Sequence, residues 1–567
     1  VWVFLLLLAL LLLLRLFYIQ VIQGERLARL AAAQRTQTID LSALRGEIVD
    51  RNGKELAVSV EAVSVYATPK DARDFDPRRT AEALSPILNE PVQGLLARLK
   101  GNRFRWLKRQ APISARPRIA ALRLPGVGMV SEMRRVYPKG QLAATLIGFV
   151  GVDNQGLAGI EHAFDDVLRG PRQKLRVEVD AYGREILREG AQGQTEAYLS
   201  DGTQVVLTID ENLQHICDRA LAQAINESGA LRGAVIMMEP QTGNLLAFST
   251  LPTYDPNQFG RYDWNRIKNW AVTDVYEPGS TMKIFTIAAA IAAQRINENE
   301  EFDCPRAIKV DGRIVSDHDS PASGRVLTPF EIMEVSSNVG TTAIAFRLRA
   351  REHRDYLASM GFGSRTGSGI SGESAALLPA LPWRRITQAT ISYGHGLSVT
   401  PLQILSAASA IGNGGLRMTP RLIDRIVDSK GRVLREFPLK PEKQLMSVGT
   451  ANTVMAMLER VVQIGTGREA QVPGYRIAGK TGTAQRVRED GRGYSDDVIA
   501  SFVGFFPVED PRFVMLTLLD SPRKVHWASS NAAPLFGRIA ADTLHHLSIQ
   551  PTAPVQPRPV KKASPGA

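Results

Sequence analysis

Cysteine is scarce: Cys217 and Cys304 are the two in 567 residues. No C-x-x-C pair exists, so thiol-redox and zinc-ribbon chemistry have no couple to work with. The two thiols can pair or stay free, and they do not fix a compartment. H-E-x-x-H and G-x-S-x-G are both missing, which removes zincin and hydrolase-elbow readings. No internal repeat of about 20 to 50 residues points to a solenoid. No basic, aromatic-interleaved motif of the RNA-recognition kind occurs, so nucleic acid is not an expected partner. The net charge of +12 favours anionic surfaces, although ordinary solubility accounts for it equally well. Long apolar runs are lacking too, with one exception.

That exception opens the chain: VWVFLLLLALLLLLRLFYIQ. As helix, Val1 to Leu14 spans roughly 21 Å at ~1.5 Å per residue, short of a hydrocarbon core of ~30 Å. Leu16 to Ile19 continue the stretch beyond Arg15, whose long side chain can snorkel. No A-x-A-like cleavage site follows, so residues 1–20 are expected to be a retained anchor and not a removed signal peptide. The first residue is Val and not Met, so further residues are expected upstream.

The remainder, 44% hydrophobic and 22% charged overall, is ordinary for folded protein and long enough for two or three domains. Residues 21–200 form a first, mixed α+β region without a catalytic cluster. RLARLAAAQR reads as helix leaving the membrane. Arg51-Asn52-Gly53 between apolar-alternating runs is a hairpin signal. Residues 71–125 show helical spacing, GLAGIE (Gly156 to Glu161) lies in a Gly-rich turn, and KLRVEVDAYGREI alternates as strand. Residues 201–548 form a second region. There Thr208-Ile209-Asp210 ends a strand, with Asp210 placed to cap a helix. GAVIMME and NLLAFST read as paired strands across Pro240-Gln241-Thr242-Gly243, and SFVGFF and FVMLTLL as another pair. A last helix is expected over 531–547. The tail, 549–567, is Pro-rich and expected to be disordered.

Three short motifs carry chemistry. In EPGSTMK, Ser280 opens an apolar helical run and Lys283 shares its face, a nucleophile-and-base arrangement. In SSN, Ser336 and Asn338 offer a hydroxyl and an amide at one turn. Lys480-Thr481-Gly482 is followed by Thr483. Taken alone, each has a plain explanation as a helix cap or surface lysine. GYRIAGKTGT also matches a phosphate loop from Gly474 to Thr481. That loop needs a strand ending at Gly474 and a helix after Thr481. Upstream is polar sequence ending in Pro473, and downstream is a poor helix, so the strand is expected to run through Lys480. S-x-x-K, then S-x-N, then K-T-G, in that order within one region, is the set with a shared mechanical logic.

On these residues, and on RGEIVDRNGKELA, GLAGIE, LTIDENLQ, YGHGLSVTPLQ and GKTGTAQ, the chain resembles the class B high-molecular-weight penicillin-binding proteins over nearly its whole length. Among them it looks most like the division type, with the elongation type as near rival. A non-catalytic anchored β-lactam sensor or scaffold is the alternative from another class. No glycosyltransferase-like region precedes the transpeptidase region.

The resemblance implies an α+β fold: an anchor helix, an elongated pedestal domain, and a transpeptidase domain with an antiparallel sheet flanked by helices. It implies a peptidoglycan D,D-transpeptidase of the bacterial inner membrane, single-pass, with its catalytic domain outside. Ser280 would attack a D-Ala-D-Ala stem peptide with Lys283 as base. Ser336 would relay a proton between Lys480 and the leaving amine, and Asn338 would bond the substrate amide. Lys480, Thr481 and Thr483 would receive the terminal carboxylate, and Gly482 would let the substrate backbone approach. The N–H groups of Ser280 and Thr483 would form the oxyanion hole. Implied partners are stem peptides, β-lactams, the membrane and a polytopic lipid-II polymerase, and no metal or cofactor is implied. His395, between Gly394 and Gly396, reads as a structural turn residue rather than a base.

Overall fold

The computed structural model describes residues 2–27, 36–41, 44–69, 74–101, 103–169, 173–178, 203–317, 324–488 and 493–554. The readings of 28–35 as helix, of 179–186 as strand and of the tail beyond 554 lie outside the described residues.

The apolar start does not stop at Arg15. Helix α1 (Trp2–Phe17) runs on as a π-helical turn, Tyr18–Ile22. Together they make 21 residues of mean hydropathy 2.6, about 30 Å long by helical rise. The Arg15 guanidinium sits 5.8 Å over the Tyr18 ring. Among the described residues this is the one helix long and apolar enough to cross a membrane.

The Asn-Gly signal makes its hairpin: β1 (Glu47–Val49) pairs antiparallel with β2 (Glu55–Ala67). One expectation fails nearby. Within 71–125, helices Pro77–Leu88, Val92–Leu99 and Ala115–Ala121 form, but Arg105–Pro112 is strand β3, paired with β2. The ladder is irregular here. Gln110 takes φ 54°, and the register shifts between Val63 and Val65. Leu107 and Ala111 are buried, and the three residues between them are only part-buried where the register shifts. Side chains four apart share a face in a strand as in a helix, so the spacing imitates a helix in the sequence. Strand β4 (Val127–Val136) covers the other edge of β2.

The two regions share a sheet. Strand β5 (Gln204–Leu207) pairs parallel with β1 and antiparallel with β8 (Ile423–Val427), itself paired with β9 (Val433–Glu436). β5 ends before Thr208, and Asp210 caps α2 (Glu211–Ser228), accepting from Asn212 and Leu213 N–H. The hairpin turn docks there: buried Asp50 accepts from Asn52, Lys54 and Glu211 N–H.

The second region is built on a five-stranded antiparallel sheet, ordered β10 (Ala478–Val487), β11 (Tyr494–Phe506), β12 (Phe513–Asp520), β6 (Arg232–Met238), β7 (Leu245–Leu251). Strand alternation divides its side chains between two cores. Val235, Met237, Phe502 and Phe506 face α2 and α8 (Ala532–His546). Ile236, Met238, Val503 and Leu516 face α3 (Met282–Ala292), α6 (Pro401–Gly412) and α7 (Val448–Gln463). Cys217 and Cys304 lie in these separate cores, both free. β10 is an edge strand, and the site is built against it.

Candidate active site

Pro278-Gly279 break the chain, and Gly279–Thr281 form a 3-10 turn that leads into α3. Ser280 is half-buried on that turn, and its hydroxyl makes no hydrogen bond among the described residues. Lys283 lies in the first turn of α3, which buries nearly every side chain because its run, MKIFTIAAAIA, is apolar apart from Lys283 and Thr286. Lys283 Nζ donates to the carbonyl of Ser336, and to its Oγ at 3.1 Å. Ser336 sits between α4 (Pro329–Val335) and α5 (Asn338–Ala345) with φ 60°, a left-handed conformation uncommon for serine. The strain turns both its oxygens toward the lysine.

Asp317, absent from the sequence reading, holds that junction. It accepts from Ser337 Oγ at 2.8 Å and from the N–H groups of Asn338 at 2.5 Å and Val339 at 3.0 Å. It thereby satisfies the first turn of α5. Its sequence context, SDHDS, carries no motif that would have flagged it. Asn338 Nδ2 donates to Ser316 O at 3.0 Å. Thr466 meets the edge strand: Thr481 Oγ1 donates to Thr466 Oγ1 at 3.0 Å.

Strand β10 runs through Lys480 as expected, and Gly474 belongs to a tight turn with φ 84° between Val472 and Tyr475. The strand continues through Thr481 to Val487 where the loop would need a helix, so the phosphate-loop match is accidental. Gly482 also meets a packing requirement. A Cβ there would lie 2.7 Å from Ser501 Oγ, 2.8 Å from Thr281 Cγ2 and 2.9 Å from Pro278 O. The missing side chain makes room for the Ser280 turn to pack on the strand. Thr483 Oγ1 accepts from Ala528 N–H at 3.2 Å.

Lys283 and Lys480 are both fully buried, and neither forms an ion pair among the described residues. Burial lowers the Lys283 pKa far below its usual value; the charge of Lys480 adds to this, and Asp317 opposes it in part. Burial brings Lys480 to about 7. Such amines are available as neutral bases near neutral pH, where exposed lysines are protonated.

His395 is a turn residue, as expected, but not a free one. Its Nδ1 bonds Glu277 Oε2 at 2.8 Å. Glu277 stands inside the EPGSTMK motif, yet nothing in the spacing disclosed its partners.

Residues 233–541 match the family described as the penicillin-binding protein transpeptidase domain, and residues 40–207 the penicillin-binding protein dimerisation domain. Stage V sporulation protein D of Bacillus subtilis is 34% identical, covering 95% of this chain and 83% of that protein. Peptidoglycan D,D-transpeptidase FtsI of Escherichia coli is 33% identical, covering 95% and 90%. Penicillin-binding protein 3 of Mycobacterium tuberculosis, solved in complex with aztreonam, is 30% identical with a TM-score of 0.69, covering 91% of this chain and 99% of that one.

Proposed function

Since the chain belongs to the penicillin-binding protein transpeptidases, we propose that it cross-links peptidoglycan stem peptides through an acyl-enzyme on Ser280. The observation that carries this reading is the pair of buried lysines that form no ion pair among the described residues, one bonded to Ser336 and on the helix that Ser280 opens. Burying an amine without compensation is costly, and a fold keeps it where a lowered pKa is useful.

Ser280 Oγ attacks the carbonyl between the two D-Ala residues, and its proton passes to neutral Lys283. The oxyanion is received by the N–H groups of Ser280 and Thr483, donors of a kind whose loss costs about 3–4 kcal/mol. As the C–N bond breaks, the proton travels through Ser336 to the departing D-Ala amine. Lys480, Thr481 and Thr483 receive the substrate's terminal carboxylate, and Asn338 bonds its amide. The amine of a second stem peptide then attacks the ester. A new amide forms, the C–Oγ bond breaks, and Ser280 regains a proton. β-Lactams acylate the same serine, as the aztreonam complex of the Mycobacterium tuberculosis relative suggests.

The helix over Trp2–Ile22 anchors the chain in the inner membrane, with the catalytic domain outside. The N-terminal region is the pedestal that docks a polytopic lipid-II polymerase. The division-type motifs favour septal over elongation synthesis, and a tagged protein found along the side wall and not at the septum would reverse that choice. For the chemistry, fluorescent penicillin is the test: the wild type labels covalently, and Ser280→Ala does not. Equal labelling of both would end the assignment.

A further inference from the structure

Glu277 has no part in the steps above, yet its side chain is only 11% exposed and three donors converge on it. Oε2 accepts from His395 Nδ1 at 2.8 Å and from the Tyr494 hydroxyl at 2.9 Å, and Oε1 accepts the Gly396 N–H at 2.9 Å. Backbone bonds continue the same seam. Tyr276 and Val399 exchange two 2.9 Å bonds, and Gly279 N–H donates to Gly394 O at 3.1 Å. A Cβ on Gly394 would lie 2.1 Å from Gly279 O, so the turn meets the Ser280 segment backbone to backbone.

Tyr494 begins β11 and lies opposite Val487 of β10, the strand that carries Thr483. The Glu277 carboxylate therefore bridges the segment carrying Ser280 to the strand pair carrying Thr483. The proposed oxyanion hole takes one N–H from each side of that bridge. Two donors on separate elements work only if their spacing is kept to fractions of an ångström.

We propose that Glu277 is a positioning residue that sets the spacing of the oxyanion hole, tying the Ser280 turn to the Thr483 strand through Tyr494 and to the 394–396 turn through His395. The inference rests on the acyl-serine reading. A carboxylate suits the task because its two oxygens accept several bonds at once. Burial opposes its charge, but the bonds from His395 and Gly396 outweigh burial and hold its pKa below the ordinary value. The Tyr494 hydroxyl, pushed up to about 12 by burial and by the charge of Glu277, remains a donor.

The test uses the full chain in detergent and a chromogenic β-lactam, with pre-equilibrium Kd and first-order acylation rate measured separately. Glu277→Ala is expected to slow the acylation step about 100-fold, with Kd and Tm near those of the wild type. Tyr494→Phe, which loses only the hydroxyl, is expected to slow it about 10-fold. Combining the two adds nothing, because both act through one bridge. Glu277→Gln, which keeps an acceptor oxygen, restores most of the rate. A wild-type rate in Glu277→Ala, additive losses in the double variant, or a loss confined to Kd or Tm overturns the inference. Ser280→Ala is run beside them: if it is acylated, the acyl-serine reading itself has failed, whatever Glu277 does.

Discussion

The molecule buries two pairs of like charges and treats them in opposite ways. In the N-terminal region, Arg45 and Arg135 share one carboxylate. Glu161 accepts a 2.6 Å bond from the Nε of each, and Asp165 takes a 2.7 Å bond from Arg45. Tyr137 adds a hydroxyl bond to Glu161 at 3.2 Å. In the catalytic region, Lys283 and Lys480 are as deeply buried and have no ion pair among the described residues. A guanidinium cannot shed its proton, so it needs carboxylates to be buried at all. An ammonium can shed its proton, and burial makes it do so. Compensated burial holds the RGE and GLAGIE segments together, whereas uncompensated burial prepares an amine to accept a proton.

The sharpest way to break this contrast is to remove the amines. Lys283→Met is expected to slow acylation about 100- to 10,000-fold, the range of a lost general base. Urea unfolding of the same variant should show equal or greater stability, because an uncompensated buried amine gives way to apolar volume. A marked loss of stability would mean that Lys283 is structural after all. The opposite pattern is expected at the arginines. Glu161→Gln leaves two buried guanidinium groups short of charge and should cost about 3–5 kcal/mol in unfolding experiments. Acylation per folded molecule should change little.

A titration sharpens the same comparison. Lys480 falls to about 7 when folded, against ~10.4 in an unfolded chain. Between those values the unfolded state binds the extra proton, so this lysine makes stability rise with pH from about 7 to about 10. Below about 7 both states are protonated and its cost is constant. Lys480→Met should flatten that rise in unfolding curves measured across the window, and it should also cripple acylation. The smallest effect is expected at Gly474, whose φ of 84° disfavours a side chain. Gly474→Ala should cost about 1–2 kcal/mol of stability and leave labelling by fluorescent penicillin intact. Loss of labelling equal to that of Lys480→Ala would reopen the phosphate-loop question.

Much of the site was legible because its signals are local. Ser280 and Lys283 fall on one helix face by spacing alone, and alternation marks the strands around Lys480. The hairpins at 52–53 and 240–243 announce themselves by turn chemistry. What could not be read depends on residues far apart. Arg45 meets Glu161 across 116 positions, and Glu277 meets Tyr494 across 217. Asp317 caps a helix about 20 residues away, from a segment with no pattern of its own. The irregular strand at 105–112 went further and looked helical, since side chains four apart share a face in either element and the shifted register interrupts the alternation between them.

The three motifs, the apolar start and the turn signals were each determined by the chain itself, because each is a property of residues within one or two turns of one another, and the order of the motifs is read directly along it. Tertiary structure decided which charges are compensated, what fills the space above Gly482, and how the Ser280 turn is held against the Thr483 strand. Those are properties of the environment. A lysine becomes a base when the fold buries it and burial outweighs any nearby carboxylate, and a glycine is required only when another backbone arrives where its side chain would have been.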